Sequence, residues 1–273
     1  MIFKAGEFTF DSEKRTFVAG ILNVTPDSFS DGGRYFGADE AVRRALEIEA
    51  EGADLLDIGA FSTRPGHEPI SSEEEMRRLA PVLDGLQGRL RIAVSVDTFN
   101  VETAEFALSR SVQIINDVSG VFREDMARTV KKYGAGWILT HTGADEDENA
   151  DVLDRVNAFF RRTSDECEAF GIKKESLCLD GGFGFGKSYE ENMELLANFD
   201  RLETNGCALM AALSRKRMLG AITGRDAADR TEETLTADTA AIFYGADFIR
   251  VHDVRQSVLA ARVADEIKKY RRR

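Results

Sequence analysis

Short apolar runs alternate with amphipathic stretches along the whole chain, and this alternation constrains the fold more than any other feature. Each apolar run has the length of a buried strand. The stretches between them, such as ADEAVRRALEIEAEG and VETAEFALSR, have helical periodicity, and several end at Gly or begin near a capping residue. The predicted strands are FVAGILN (17–23), DLLDIGA (54–60), IAVSVD (92–97), VQIIND (112–117), GWILTH (136–141), SLCLD (176–180), CALMAAL (207–213) and DFIRVHD (247–253).

Eight strand–helix units in a chain of 273 residues predict an α/β protein of the (β/α)8 class, the TIM barrel. A doubly wound open sheet is the alternative, although eight regular units favour closure. The opening segment EFTFDSEKRTFV predicts an N-terminal β-hairpin that covers the bottom of the barrel. Because the chain has four prolines and no Pro- or Ser-rich linker, residues 1–273 are predicted to form a single domain.

The charge balance disfavours two classes of partner. The formal net charge is −12 and no long basic run interrupts it, which argues against nucleic acid and against an anionic membrane. No secretory signal and no apolar segment of membrane-spanning length is visible. The three cysteines are scattered and odd in number, so they predict neither a disulfide framework nor a metal site, and they favour a reducing cytoplasm.

The carboxyl ends of the predicted strands are polar, and in barrels of this class the chemistry lies at those ends. A single Asp or Asn in such a place often only caps the next helix, but their recurrence predicts a convergent site. The residues at these ends are Asn23, Asp57, Asp97, Asn116 with Asp117, His141, Asp180, Ser214, and Arg250 with His252.

The residue types indicate two kinds of ligand group. The side chains of Asp97, Asn116 and Asp180 suit a heterocycle rich in N–H donors, because carboxylates pair well with adjacent N–H groups. A second set suits a phosphate or diphosphate. That set consists of Arg64, Lys216, Arg250 and His252.

Three loops at this end of the barrel carry further candidates. The first, NVTPDSFSDGGRYFG, places Phe29 between two aspartates and is typical of a loop that closes over substrate. In the second, FSTRPGHEPISSEEE, the SSEEE run is interpreted as a helix cap with an acidic first turn. The third, LSRKRMLG, places Arg215, Lys216 and Arg217 at the start of a helix, where anion binding is favoured.

The stretch GGFGFGKS at 181–188 fits the phosphate-loop pattern G-x-x-x-x-G-K-[ST] and lies between a predicted strand and a predicted helix. A P-loop ATPase or GTPase is therefore an alternative from a different class. Against it, Asp180 immediately precedes the glycines, and two phenylalanines within the loop suit a pocket wall better than a phosphate cradle. The glycines are then predicted to turn the chain after Asp180 and to place Phe185 in the pocket, with Lys187 either structural or peripheral.

The segments GILNVTPDSFSDGG, FSTRPG, VSVDT, IINDVSG, DGGFGFGK, SRK and RVHDV, in this order and spacing, resemble the dihydropteroate synthase family over nearly the whole chain. The resemblance implies a pterin-binding (β/α)8 barrel, often a homodimer. It also implies a Mg2+-dependent transferase that condenses 6-hydroxymethyl-7,8-dihydropterin diphosphate with p-aminobenzoate in folate biosynthesis. The products would be 7,8-dihydropteroate and diphosphate.

The resemblance also implies roles for individual residues. Asn23 would help to coordinate Mg2+, and Asp31 would lie near the reacting methylene group, with Thr63, Arg64 and Lys216 as further catalytic residues. The pterin would contact Asp97, Asn116, Asp180, Phe185, Lys216 and Arg250; the diphosphate would contact Thr63, Arg64, Arg250 and His252; p-aminobenzoate would contact Phe29, Pro65 and Arg217.

Some positions depart from the family pattern. Gly181 replaces the usual proline, Phe61 replaces an acid, Ala212 stands where glycine is common, and THTGADEDENADV lacks the methionine usual near His141 and a downstream Met-Gln pair. These positions border the predicted pterin pocket. They leave open a pterin-binding paralogue without synthase activity or with another acceptor, as in the methyltransferases, and a non-catalytic binding protein. The STRPG and SRK motifs favour the synthase over a methyltransferase.

Overall fold

The computed structural model describes residues 1–24, 33–61, 70–143 and 150–270 of the protein. Its strands are β1 (Ile2–Ala5), β2 (Phe8–Asp11), β3 (Phe17–Asn23), β4 (Leu55–Gly59), β5 (Ala93–Asp97), β6 (Ile114–Asp117), β7 (Gly136–Thr140), β8 (Leu177–Asp180), β9 (Ala208–Ala211) and β10 (Phe248–Val251). Strands β3 to β10 form a closed parallel barrel in which β10 pairs with both β9 and β3. The predicted (β/α)8 class is confirmed, with each barrel strand inside its predicted range.

Helices cover the outside of this barrel, and their ends follow the capping rules. The Ser71 hydroxyl accepts the backbone N–H of Glu74 at 3.3 Å, which confirms the predicted cap of the second helix. No helix in the described ranges is both long enough and apolar enough to cross a membrane. The helices are α1 (Gly33–Ala50), α2 (Ser72–Leu86), α3 (Val101–Leu108), α4 (Glu124–Tyr133), α5 (Val152–Phe170), α6 (Tyr189–Ala197), α7 (Arg217–Thr223), α8 (Thr231–Phe243) and α9 (Val254–Lys269).

A hairpin closes the bottom of the barrel, as predicted, but it lies earlier in the chain than the predicted segment 7–18. Strands β1 and β2 pair antiparallel, with Ile2 opposite Asp11, because the apolar residues of IFKA and FTFD lie in phase across a tight turn. The ring of Phe3 lies 5.5 Å from that of Phe248, and the ring of Phe10 lies 5.1 Å from that of Phe17. The hairpin is thus an aromatic plug.

Side-chain alternation divides the barrel strands into two faces. Outward residues such as Leu56 and Val96 pack against the helices, whereas Leu55, Ala93 and Ile114 fill the lower interior together with the plug. The lower interior is therefore apolar and closed. Polar inward residues occur only higher along the strands, at the carboxyl ends, where a ligand can reach them.

Candidate functional site

The strand register brings the polar strand ends together on one rim. Asn23 lies opposite Gly59, Gly59 opposite Asp97, and Asp97 opposite Asn116. Further round the barrel, the last residue of β8 is Asp180. Since residues paired across a sheet face the same side, these four polar side chains converge on the barrel mouth.

The Arg250 side chain lies at the centre of these converging side chains. Its Nε donates to Asp57 Oδ2 at 2.6 Å, and its Nη2 donates to Asp97 Oδ2 at 2.8 Å. The Asn116 amide donates to the same oxygen of Asp57 at 3.1 Å. Two carboxylates therefore hold the Arg250 guanidinium, and the Asn116 amide in turn holds one of these carboxylates. Within the described ranges, the other oxygens of Asp57 and Asp97 are buried without a hydrogen-bond partner.

In this cluster, burial and the oppositely charged neighbours shift the pKa values of the side chains in opposite directions. Burial raises the pKa of Asp97 to about 7; Arg250 opposes the rise, whereas Asp57 and Glu75 add to it. Burial alone would lower the pKa of Arg250, but the two carboxylates outweigh it, so the guanidinium stays charged. The cluster is a buried acid–base network of the kind found at ligand sites.

Asp180, Phe185 and Lys216 line the opposite wall. Asp180 Oδ1 accepts the backbone N–H of Gly182 at 2.7 Å, and burial is the main reason that its pKa is raised. Lys216 Nζ lies 4.7 Å from the centre of the Phe185 ring, a cation–π contact. An acceptor, an aromatic face and an ammonium group thus stand beside one another.

The glycines after β8 make a tight turn, and Lys187 holds it. Gly182 has φ +68°, and a Cβ there would lie 1.7 Å from the His141 carbonyl oxygen, so only glycine fits. Lys187 Nζ donates to the carbonyls of Gly182 at 3.0 Å and Phe185 at 3.1 Å. It also contacts His141 Nδ1 at 2.7 Å.

Burial, followed by the charge of Lys187, lowers the pKa of His141 to about 3, so the imidazole is neutral and accepts from the ammonium. A P-loop lysine must reach a bound phosphate, whereas Lys187 is engaged by the protein's own carbonyls and imidazole. This geometry argues against the P-loop alternative, and of the two predicted roles of Lys187 it favours the structural one over the peripheral one.

The SRK segment and β10 bring the remaining basic groups to the mouth. His252 Nδ1 lies 2.9 Å from the Ser214 hydroxyl, which also accepts the His252 backbone N–H at 3.2 Å. Arg217 is exposed and is the first residue of α7. Arg215, in contrast, turns its guanidinium to Asp253 at 2.8 and 3.2 Å, so it is structural.

Asn23 ends β3 beside Gly59, and its Oδ1 lies 3.5 Å from the point where a Gly59 Cβ would stand. Within the described ranges, no three His, Cys, Asp or Glu side chains form a metal cluster. Mg2+ commonly keeps several waters and binds through one or two protein oxygens and substrate phosphates. A lone amide oxygen at the mouth fits that mode of binding.

Five predicted site residues lie outside the described residues. They are Phe29 and Asp31 of the first loop, and Thr63, Arg64 and Pro65 of the second. Their roles stay predictions.

Sequence reasoning gave no role to two carboxylates that the structure brings to the site. In the sequence pattern Asp57 is only a strand-end residue, although its alternation with Leu55 and Gly59 indicates that it faces inward. The SSEEE pattern explains Glu75 only as part of an acidic helix start. It is buried and accepts from Thr98, Thr103 and Asn100 at 2.8 to 3.0 Å.

Comparison with known proteins agrees with this geometry. The model of the pterin binding enzyme family matches residues 19–252, a range that contains every site residue named above. A dihydropteroate synthase of Clostridium beijerinckii is 37% identical, over 97% of this chain and 98% of its own. The chain belongs to the dihydropteroate synthase family of pterin-binding enzymes.

Solved structures of dihydropteroate synthases share the fold. The Xanthomonas albilineans enzyme with 4-aminobenzoic acid superposes with a TM-score of 0.91 at 38% identity, covering 98% of each chain. The same enzyme in complex with 7,8-dihydropteroate gives a TM-score of 0.89 at 36% identity, covering 98% of this chain and 99% of that one.

Proposed function

We propose that this member of the dihydropteroate synthase family condenses 6-hydroxymethyl-7,8-dihydropterin diphosphate with p-aminobenzoate, giving 7,8-dihydropteroate and diphosphate in folate biosynthesis. The names of the relatives and the ligands of the two Xanthomonas albilineans structures support this reading. The observation that carries it is the buried network of Arg250 with Asp57, Asp97 and Asn116, facing Asp180 and Lys216 across the barrel mouth.

The polar groups of the mouth match a pterin ring. The carboxylates of Asp97 and Asp180 can accept from ring N–H and amino groups, while the Asn116 amide can both donate and accept. Phe185 and the Arg250 guanidinium supply flat faces beside the ring. Lys216 can donate to a ring acceptor, because its ammonium is held over Phe185.

The cations and carboxylates of the mouth have separate tasks in the reaction. Arg250 neutralises the diphosphate and His252 contacts it as the bond from the methylene carbon to the diphosphate oxygen breaks and the oxygen takes both electrons. The methylene carbon becomes electron-poor, and the nearby carboxylates stabilise it. The aromatic amine then forms the new C–N bond and releases a proton, so no nucleophilic side chain is required.

Mg2+ is proposed as the cofactor, and the Asn23 amide oxygen would help to hold it. When bound, it would supply charge neutralisation of the leaving diphosphate. Asp31, Thr63 and Arg64 are proposed to act at the reacting groups, and Phe29, Pro65 and Arg217 at p-aminobenzoate.

The activity is tested by incubating the protein with the dihydropterin diphosphate, p-aminobenzoate and Mg2+ and separating dihydropteroate by chromatography. Formation of dihydropteroate that depends on all three additions supports the proposal. Absence of product, under conditions where an authentic synthase turns over, would refute it.

Two single variants test the binding site. Lys216→Ala and Arg250→Ala are expected to weaken pterin binding by about 2–5 kcal/mol, since each removes a charged partner from a desolvated site. Lys173→Ala, an exposed lysine away from the barrel mouth, is the matched control and should bind pterin normally. An unchanged affinity in Lys216→Ala or Arg250→Ala would remove that residue from the site.

A homodimer is also proposed, and an exposed apolar row on α9 supports it. Leu259, Val263, Ile267 and Tyr270 follow at helical spacing and are 57%, 61%, 52% and 80% exposed. A second copy related by a two-fold axis would cover the row with itself. Light scattering should give the dimer mass for the unmodified protein and the monomer mass for Val263→Glu; a monomer in both cases would refute the dimer.

A cytoplasmic location is proposed because Cys167, Cys178 and Cys207 are all buried free thiols. Cell fractionation tests it.

A further inference from the structure

We propose that Arg230 is the positioning residue for Lys216: it holds the backbone of the SRK segment so that the Lys216 ammonium lies over Phe185 at the pterin site. This inference rests on the proposed function, because it assigns the step that makes one of the proposed pterin ligands effective.

Arg230 lies just before α8, and its guanidinium reaches back to the SRK segment. Its Nη1 donates to the carbonyl oxygens of Arg215 at 3.0 Å and Lys216 at 3.3 Å. Its Nε donates to the carbonyl of Arg225 at 2.9 Å. One planar side chain therefore holds the two peptide groups that flank Lys216 and ties them to the loop that follows α7.

The segment requires such support because its backbone is unusual. Arg215 has φ +60°, a left-handed conformation that costs free energy in a residue other than glycine. Lys216 is the N-cap of α7, and its side chain makes no capping hydrogen bond. The conformation that starts α7 is thus imposed by neighbouring groups.

The start of α8 and the end of β10 complete the support. The Thr234 hydroxyl accepts the backbone N–H of Arg215 at 3.0 Å. Asp253 accepts from the Arg215 guanidinium, and the Thr231 hydroxyl donates to it at 3.3 Å. These contacts fix Arg215, whereas the Arg230 side chain also reaches the carbonyl of Lys216, which accepts the backbone N–H of Leu219 at 3.1 Å as well.

Gly220 provides the room for the Arg230 guanidinium. A Cβ on Gly220 would lie 2.2 Å from Nη2 of Arg230, so any other residue in this place of α7 would displace the guanidinium. Gly220 has helical backbone angles within α7, so alanine is compatible with its conformation. A methyl group here therefore displaces Arg230 without removing it.

The test measures binding of 6-hydroxymethyl-7,8-dihydropterin diphosphate by calorimetry in the absence of p-aminobenzoate. Arg230→Met keeps the apolar stem and loses the donors, and Gly220→Ala displaces the guanidinium. Each should weaken binding at least about tenfold, as expected for loss of hydrogen bonds from a charged group. Arg225→Met, in the same loop, keeps the carbonyl that Arg230 contacts and should bind like the unmodified protein.

A double-variant cycle separates positioning from general stability. If Arg230 acts through Lys216, then Arg230→Met combined with Lys216→Met binds no more weakly than Lys216→Met alone. Fully additive losses, or unchanged affinity in both Arg230→Met and Gly220→Ala, would overturn the inference. Failure of the unmodified protein to bind the pterin would overturn the proposed function, and this inference with it.

Discussion

The buried carboxyl group of Asp238 gives the sharpest test of how burial changes the free energy of unfolding. It lies within α8, is fully buried, and neither of its carboxyl oxygens has a hydrogen-bond partner in the described part of the chain. Burial is the reason that its pKa is raised well above the ordinary value. The folded protein therefore keeps this proton at pH values where the unfolded chain releases it, so a rise in pH favours unfolding.

The size of the effect follows from proton linkage. Asp238 has one pKa in the unfolded chain and a higher pKa in the folded protein. Between these two values, each rise of one pH unit lowers the free energy of unfolding by about 1.4 kcal/mol. Asp238→Asn has nearly the same shape and no proton to release. Its stability relative to the unmodified protein should therefore rise by about 1.4 kcal/mol for each pH unit above pH 5 at which the folded protein still holds the proton, and the difference should become constant below pH 4.

Urea unfolding at several pH values measures this difference directly. Asp226→Asn, at an exposed position in the loop before α8, is the control and should show no such dependence. A stability difference between Asp238→Asn and the unmodified protein that stays constant from pH 5 to pH 7 would refute the reasoning, because Asp238 would then titrate alike in the folded and unfolded states.

Three further outcomes are expected. Pterin affinity should rise about tenfold from pH 6 to pH 8, because Asp97, with a pKa of about 7, becomes ionised in this range. Calorimetry measures the affinity, and the Asp97→Asn variant should not show this pH dependence. Gly136→Ala should lower the unfolding free energy by about 1–3 kcal/mol, since the added Cβ would lie 2.6 Å from the Phe3 ring; unchanged urea unfolding would contradict this. Glu75→Ala removes the acceptor of two buried hydroxyls, those of Thr98 and Thr103, and of the half-buried Asn100 amide, and should cost a similar amount. Glu75→Gln should recover part of the loss in the same assay.

Much of the fold could be predicted from the sequence because the barrel repeats a local pattern. Strand β3 was predicted with its observed bounds. The last predicted residues of CALMAAL lie beyond β9, which ends at Ala211, since apolar composition does not show where pairing stops. The hairpin was misplaced for a related reason: the polar run SEKR carries no signal of its own, and only packing on Phe248 shows which residues pair.

The site was predictable where function follows from position on a strand, and not where it follows from distant contacts. Asp97, Asn116 and Asp180 end apolar runs, so their convergence follows from barrel geometry. The link between Asp57 and Arg250 joins residues that are 193 positions apart, and no local pattern indicates it. Arg230 lies in a loop without periodicity. Its hydrogen bonds go to backbone carbonyls, which every residue has, so no sequence pattern indicates its role.

The aromatic plug couples the hairpin to the closure of the barrel. The surface on which Phe3 and Phe10 pack includes Phe17 and Phe248, which lie on the two strands that pair where the barrel closes. Until β10 has paired with β3, this aromatic surface is incomplete, and the apolar rings of the hairpin stay accessible to chaperones.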